Sequence, residues 1–324
     1  MATRNPKVHV VIVNYRTAGL CLDAVRSLVA ERSLVPSLSV TVVDGGSDDG
    51  STAEISGAID REGWREWAEL IALDVNVGFA GGNNAAIAPL LARADPPDYV
   101  HLMNPDASIR PGAVRALVEY LEHNRQVGIA GSRLEYPSGR PQRSAFRFPS
   151  LASELENAMQ FRLSTWLLEP WAVARPVPDE ISPTDWLSGA SMMVRREVFD
   201  DVGLLDDRFF LYFEETDFCL RASRAGWRCA YVPASRVVHR VAQATGITAE
   251  RDEVERRRPG YWFDSRRRYF RKNHGFAYAA AADLLRIAGT ASAEARRRLL
   301  GKSSRNPPHL LGDLVRHTVL LRWS

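Results

Sequence analysis

Three carboxylates fall within four residues at Glu214-Glu215-Thr216-Asp217, just ahead of a segment, Phe218 to Ala225, that reads as helix. Like charges at that density repel, which raises at least one carboxyl pKa or calls for a nearby cation. One of the three can act as a general base that takes a proton from a hydroxyl. The plainer reading is acidic charge placed favourably at a helix N-terminus. The surroundings weaken it. Phe209, Phe210, Leu211, Tyr212, Phe213 and Phe218 frame the acids, and a solvated cap does not usually sit in so apolar a frame. Asn104-Pro105-Asp106 follows an apolar strand. A carboxylate there can hold a hard divalent cation against phosphate oxygens, although the tripeptide is also good turn chemistry. His239, after Val237-Val238, can complete a metal shell with Asp106, although a lone histidine at a strand end is more often structural.

Two glycine-rich loops stand upstream. Asp44-Gly-Gly-Ser-Asp-Asp-Gly-Ser51 can hydrogen-bond a base or ribose, its glycines permitting close backbone approach. Gly78-Phe-Ala-Gly-Gly-Asn-Asn84 opens a helix and can sit against a nucleotide. Neither is G-x-G-x-x-G or G-x-x-x-x-G-K-[ST], which excludes a dinucleotide fingerprint and a P-loop. Taken singly, each loop also reads as tight-turn chemistry.

These residues need elements to hold them. Val8–Val13, Ser39–Val43, Leu70–Leu73 and Tyr99–Met103 are apolar runs of strand length. Between and after them, helices are predicted from Leu20 to Ala30, from Ser51, from Ala85 to Arg93 and from Pro111 to Asn124. This alternation predicts a mostly parallel, doubly wound sheet covered on both faces. Ligands of such sheets bind at the carboxyl ends of the strands, and all four strands here end in polar loops. The second half is less regular. Strands are expected at Gly128–Ser132, Cys229–Val232 and Arg236–His239, and Trp186–Val194 returns to the core. Helices are expected at Ser150–Leu168, at Arg195–Val202 and, rich in Arg, from Glu250 onward. Pro137–Pro149 reads as a basic loop and Glu169–Pro183 as a flexible, lid-like segment.

The chain has 324 residues with a formal net charge of +3, 45% hydrophobic and 25% charged, an ordinary globular composition. Cys21, Cys219 and Cys229 are too few and too scattered for a disulfide framework. No apolar stretch is long enough to span a bilayer. A cytoplasmic protein is expected.

In order along the chain stand Val11-Ile-Val-Asn-Tyr15, the Asp44 loop, Asn76-Val-Gly-Phe-Ala-Gly-Gly-Asn-Asn84 and Asn104-Pro-Asp106. Trp186-Leu-Ser-Gly-Ala-Ser191, Phe209-Phe-Leu-Tyr-Phe-Glu-Glu-Thr-Asp217, Gly226-Trp227 and Val238-His239 follow. The ordered set, spanning residues 8–275, resembles the family 2 glycosyltransferases and, within them, the bacterial rhamnosyltransferase-like branch. The resemblance implies a GT-A fold, a single α/β domain around a mixed sheet, and transfer of a sugar with inversion. Asp106 then matches the metal position, with Asn104 in place of the usual first Asp. His239 matches a second ligand, and Mg2+ or Mn2+ is the implied cofactor. Glu215 matches the catalytic base, with Asp217 as the alternative. Asn14, Tyr15, Asp44 and Asn83, with Asn104 and Asp106, fall on the nucleotide-sugar side; Trp186, Gly189, Ala190 and Glu214 fall on the acceptor side. The implied donor is a dTDP- or UDP-sugar, dTDP-rhamnose first among them, and the acceptor a hydroxyl of a glycan or lipid-linked carrier. Asp-Gly-Gly-Ser replaces the commoner Asp-Asn before Ser, which bears on the nucleoside contacts. A non-catalytic nucleotide-sugar or glycan-binding protein is the alternative, and the intact Asp106, Glu215, Asp217 and His239 argue against it.

The expected organisation is a catalytic domain over residues 1–275, nucleotide-binding in 1–125 and acceptor-binding and base-carrying in 126–275. A basic, amphipathic helical extension over 276–324 follows. Arg256-Arg-Arg258 and Ser265-Arg-Arg-Arg-Tyr-Phe-Arg-Lys272 interleave cations with aromatics. Leu310, Leu311, Leu314, Thr318 and Leu321 fall at helical spacing. This tail reads as a helix packed on the domain or as a peripheral contact with the inner membrane face. The small net charge and acidic central loops speak against nucleic acid.

Overall fold

The computed structural model describes residues 5–240 and 257–322, so Arg256 and the start of the Arg-rich segment at Glu250 lie outside the described residues. The chain begins β1 (Val8–Asn14), α1 (Ala18–Val29), β2 (Ser39–Asp44), α2 (Ser51–Arg61), β3 (Ala68–Ala72), α3 (Gly78–Leu91) and β4 (Tyr99–Met103). It continues through β5 (Ala107–Ile109), α4 (Ala113–His123), β6 (Val127–Glu135), β7 (Ala145–Phe146), α5 (Leu151–Met159) and α6 (Arg162–Leu168). Next come β8 (Ser182–Thr184), β9 (Trp186–Leu187), β10 (Ser191–Arg195), α7 (Arg196–Val202), α8 (Glu214–Arg224) and β11 (Arg228–His239). Last are α9 (Gly260–His274), α10 (Phe276–Leu299) and α11 (Leu310–Arg316).

The main sheet runs β3-β2-β1-β4-β10-β6-β11-β5, with β8 on β11. β3, β2, β1 and β4 are mutually parallel, as their apolar runs predict, while β10 runs antiparallel between β4 and β6. β1 is buried along almost its whole length because helices cover both faces. α4 shows the packing unit: Val114, Leu117 and Leu121 share its inner face and are fully buried, each worth about 2 kcal/mol of removed apolar surface. Its N-terminus has no side-chain cap of its own. The fully buried Glu31 instead accepts from the main-chain N–H groups of Gly112, Val114 and Arg115, a carboxylate at the positive end of the helix. The helix therefore starts at Ala113, after Pro111 rather than on it.

Two histidines lie inside the sheet. His9 bonds Ser39 and Thr41, and His101 bonds Ser191, which continues through Ser132 to Ser235 across neighbouring strands. Burial lowers both to about 4, so both are neutral.

Other elements depart from the sequence reading. α3 starts at Gly78, so the glycine-rich run is its opening turns rather than a loop before Ala85. A Cβ at Gly82 would come within 2.7 Å of Val13, so that glycine lets α3 lie directly on β1. The stretch 150–168 is two helices, parted at Gln160 in the left-handed region. The two expected strands at 229–232 and 236–239 are one strand, β11, whose register on β6 shifts between Val232 and Arg236.

The chain divides into two compact units. Of the described residues, one holds 5–146, 176–210 and 214–240, the other 147–175, 211–213 and 257–322. In the second, Arg266 is buried and bonds Glu154 and Asp283, while Asp283 also accepts from Thr318 Oγ1 and the Val319 N–H. Among the described residues no helix is long and apolar enough to cross a membrane.

Candidate active site

The register of β1 on β2 sets Asn14 opposite Asp44 at the carboxyl edge of the sheet. Asn14 Nδ2 donates to Asp44 Oδ1 at 2.7 Å. Ser47 Oγ donates to the same oxygen, and the Ser47 N–H and Thr52 Oγ1 donate to Oδ2. Asp44 therefore stands at the carboxyl edge of the sheet with its carboxylate already holding its own loop. Tyr15, the next residue of the edge, is more exposed, with the Arg16 guanidinium 5.2 Å from its ring centre. Asn83, on α3, is fully buried. Its Nδ2 donates to the Phe79 carbonyl, and its Oδ1 has no partner.

The Asn104-Pro-Asp106 turn leaves β4 and enters β5, which pairs antiparallel with the end of β11 so that Ala107 faces His239. The Arg240 N–H donates to the Asp106 carbonyl at 3.0 Å. Two residues 133 positions apart are thus pinned together by one ladder: Asp106 Oδ1 lies 3.2 Å from His239 Nε2. That oxygen is buried and accepts no hydrogen bond. Asn104 Nδ2 stands 3.3 Å from the same ring nitrogen.

Gln142, which the sequence did not single out, fixes which nitrogen carries the proton. Its Nε2 donates to the His239 carbonyl at 2.6 Å, so its Oε1 is the atom 3.2 Å from Nδ1. An amide oxygen only accepts. Nδ1 therefore bears a hydrogen, and Nε2, which accepts from Asn104 Nδ2, lies beside Asp106 Oδ1. A lone pair and a carboxylate oxygen facing each other at 3.2 Å repel unless a proton or cation lies between them. The donor set, one imidazole and one carboxylate with a fixed second partner, fits a hard divalent cation that takes its other ligands from phosphate oxygens.

The acidic motif forms the first turn of α8 rather than a loop before it. Its members are not equivalent. Asp217 is fully buried and bonds Arg221 Nε at 2.9 Å, and Arg221 also donates to the carbonyls of Val202 and Leu204. That carboxylate holds structure. Glu214 is buried and Glu215, beside it, is half-buried, each with one buried oxygen lacking a partner. Burial raises both carboxyls, and the charge of Glu215 raises Glu214 further. The neighbouring Glu215 charge pushes Glu214 further toward its protonated form, while main-chain N–H groups, including that of Gly189, favour the Glu215 anion.

The turn before β10 joins the two clusters. The Ala190 carbonyl accepts from the Asn104 N–H at 3.2 Å, while the Gly189 N–H serves Glu215. A Cβ on Gly189 would press to 3.0 Å from the Phe79 ring, so the close approach needs glycine there. Gly189 and Ala190 thus contribute main-chain atoms. Trp186, on β9, stacks on Phe146 with ring centres 4.3 Å apart.

Residues 6–275 match the family model described as Glycosyltransferase like family 2. An N-acetylglucosaminyl-diphospho-decaprenol L-rhamnosyltransferase of Mycobacterium tuberculosis is 34% identical over 231 residues, 68% of this chain and 71% of that protein. Rhamnosyltransferase WbbL of Escherichia coli is 30% identical over 168 residues, 50% of this chain and 60% of that protein. Among solved structures, the mannosyltransferase PcManGT from Pyrobaculum calidifontis, in complex with GDP-Man and Mn2+, superposes with a TM-score of 0.57. It covers 98% of this chain and 81% of that one at 16% identity. Staphylococcus aureus TarS 1–349 gives 0.52, covering 96% and 81% at 14% identity. At such identities the two structures establish the fold.

Proposed function

The chain belongs to the family 2 glycosyltransferases, and we propose that it moves rhamnose from dTDP-rhamnose to a hydroxyl of a lipid-linked envelope glycan, with inversion. The observation that supports this reading is the Gly189-Ala190 turn, whose neighbouring peptide groups bond Glu215 on one side and the Asn104-Pro-Asp106 turn on the other. The names of the relatives support the sugar and the carrier: one is a rhamnosyltransferase acting on a diphospho-decaprenol-linked sugar.

Glu215 takes the proton of the acceptor hydroxyl as that oxygen bonds the anomeric carbon. The bond from that carbon to the diphosphate breaks, and its electron pair leaves with the nucleoside diphosphate. Glu214, holding its own proton, favours Glu215 as the anion that can receive one. Asp106 and His239 would hold Mg2+ or Mn2+, which neutralises charge on the departing diphosphate. Asn14, Tyr15, Asp44, Asn83 and Asn104 line the nucleotide side, and Trp186 the acceptor side. Residues 1–275 form the catalytic domain in this reading, with 276–324 an extension. The lipid-linked acceptor sets the reaction at the cytoplasmic face of a membrane.

Purified chain incubated with Mn2+ and a lipid-diphosphate-linked N-acetylglucosamine should release dTDP from dTDP-rhamnose. Turnover with another nucleotide sugar but none with dTDP-rhamnose would displace the sugar assignment. No turnover with any donor would favour a binding protein.

A further inference from the structure

The cationic run that stands out in the sequence is largely spent inside the second unit. Arg266 is buried against Glu154 and Asp283, Arg257 bonds Asp313, and Arg267 lies 3.1 Å from Asp264. A further group of cations lies at the end of α10 and the loop after it, where Arg297 Nε donates to the Ser303 carbonyl. Among the described residues, no carboxylate lies within ion-pair distance of Arg297, Arg298 or Lys302. These three, with His309, line a cavity of about 380 Å³. Its one acidic lining residue, Glu294, already accepts from Asn306 Nδ2 at 3.3 Å. Directly beside the cations stand Leu299 and Leu300, 89% and 62% exposed.

We propose that this end of α10 docks on an anionic phospholipid bilayer, Leu299 and Leu300 entering the interfacial zone and the cavity receiving a lipid phosphate. The proposal deepens, and rests for its purpose on, the reading of a lipid-linked acceptor. Charge complementarity names the partner: cations without a carboxylate partner around a concave site suit phosphate, and two adjacent exposed leucines suit the acyl boundary. A nucleic acid would use the same cations but has no use for the leucines. The cavity lining, which carries prolines and leucines, offers no aromatic ring but that of His309 for a base to stack on. The surface is short, so the attachment is reversible and needs both the cations and the leucines.

The test is co-sedimentation of the full chain with vesicles of phosphatidylcholine alone and of phosphatidylcholine with phosphatidylglycerol. Binding is expected to the second only. Arg298→Glu/Lys302→Glu and Leu299→Ser/Leu300→Ser should each weaken it about tenfold or more, with unchanged melting temperature because all four side chains are exposed. Neither variant should alter the thermal shift given by dTDP with Mn2+. Absence of wild-type binding to anionic vesicles, or equal binding by the variants, overturns the proposal. So does calorimetric binding of inorganic phosphate, or of an RNA oligonucleotide, without vesicle binding. Each of these outcomes leaves dTDP-rhamnose turnover unaffected, so the docking surface and the sugar-transfer reading fail separately.

Discussion

Replacing Gln142 with leucine removes both restraints on His239: the acceptor at Nδ1 and the donor to the main-chain carbonyl. Without the acceptor the imidazole is released to carry its proton on Nε2, where it would donate to Asp106 Oδ1, 3.2 Å away. The lone pair that suits a cation is then lost. Losing the partner of a metal-ligating histidine costs about 10- to 100-fold in metal affinity, or about 1.4–2.7 kcal/mol. Stability should fall independently by about 1 kcal/mol, because the carbonyl of the half-buried His239 loses its donor. Titration of Mn2+ in the presence of dTDP, followed by calorimetry or electron paramagnetic resonance, reads the first effect, and urea unfolding reads the second. Gln142→Glu separates them. It keeps an acceptor at Nδ1, so it should hold metal nearly as well as the wild type, but it sets a carboxylate against the His239 carbonyl and should be less stable. A leucine variant that binds Mn2+ within about twofold of wild type, while His239→Ala does not, would refute the tautomer lock.

Asp106→Ala and Glu215→Gln should each abolish measurable transfer, the second by about 10²- to 10⁴-fold in kcat, with melting temperature preserved; near-normal turnover by Glu215→Gln would move the base to Asp217. Asp217→Asn should instead act on stability, by about 3 kcal/mol, because it leaves Arg221 without its buried counter-charge; an unchanged urea midpoint with lost turnover would reverse that assignment. Burial holds the Glu215 carboxyl above the ordinary carboxylate range, so the acidic limb of the kcat profile should lie correspondingly high and be absent from any residual activity of Glu215→Gln. His9 and His101 are neutral in the fold, lowered to about 4. The unfolded chain takes up protons near an ordinary histidine pKa, so their contribution is complete above about pH 6.5 and is lost as pH falls toward 4, by about 2 kcal/mol per histidine at pH 5. Equal urea midpoints at pH 7 and pH 5 would contradict it.

β1, β2 and β4 were legible because strands covered on both faces must be apolar throughout, and such runs stand out against polar loop ends; β3, a half-exposed edge strand, starts two residues before the apolar run that announced it. β11 read as two strands because Pro233-Ala-Ser-Arg236 interrupts the apolar run, whereas β6 continues beside it and carries the ladder through a register shift. The acids and His239 were visible as residue types. What each does was not, since Asp217 and Glu215 differ only in what the fold brings against them: a guanidinium in one case, a second carboxyl in the other. Gln142 left no signal, because an isolated glutamine in a basic loop meets its partner 97 residues later. Arg266 was visible as charge, but its counter-ion Glu154 lies 112 residues earlier.

The Gly189-Ala190 turn acts as a ruler between the two chemical duties. One of its peptide groups addresses Glu215, the next addresses the turn that carries Asp106, and consecutive Cα atoms across a trans peptide keep a fixed spacing of about 3.8 Å. In the proposed reaction, the spacing of Glu215 from the turn that carries Asp106 therefore rests on one peptide unit of main chain as well as on side-chain packing. Insertions in the loops after β2 and β3 can reshape what is bound. A single residue added or removed between Ser188 and Ser191 has no such latitude, because it would decouple the two halves of the reaction at once. Change of sugar preference in chains built this way is expected to accumulate around the rim of the sheet edge, while the turn itself stays the same length.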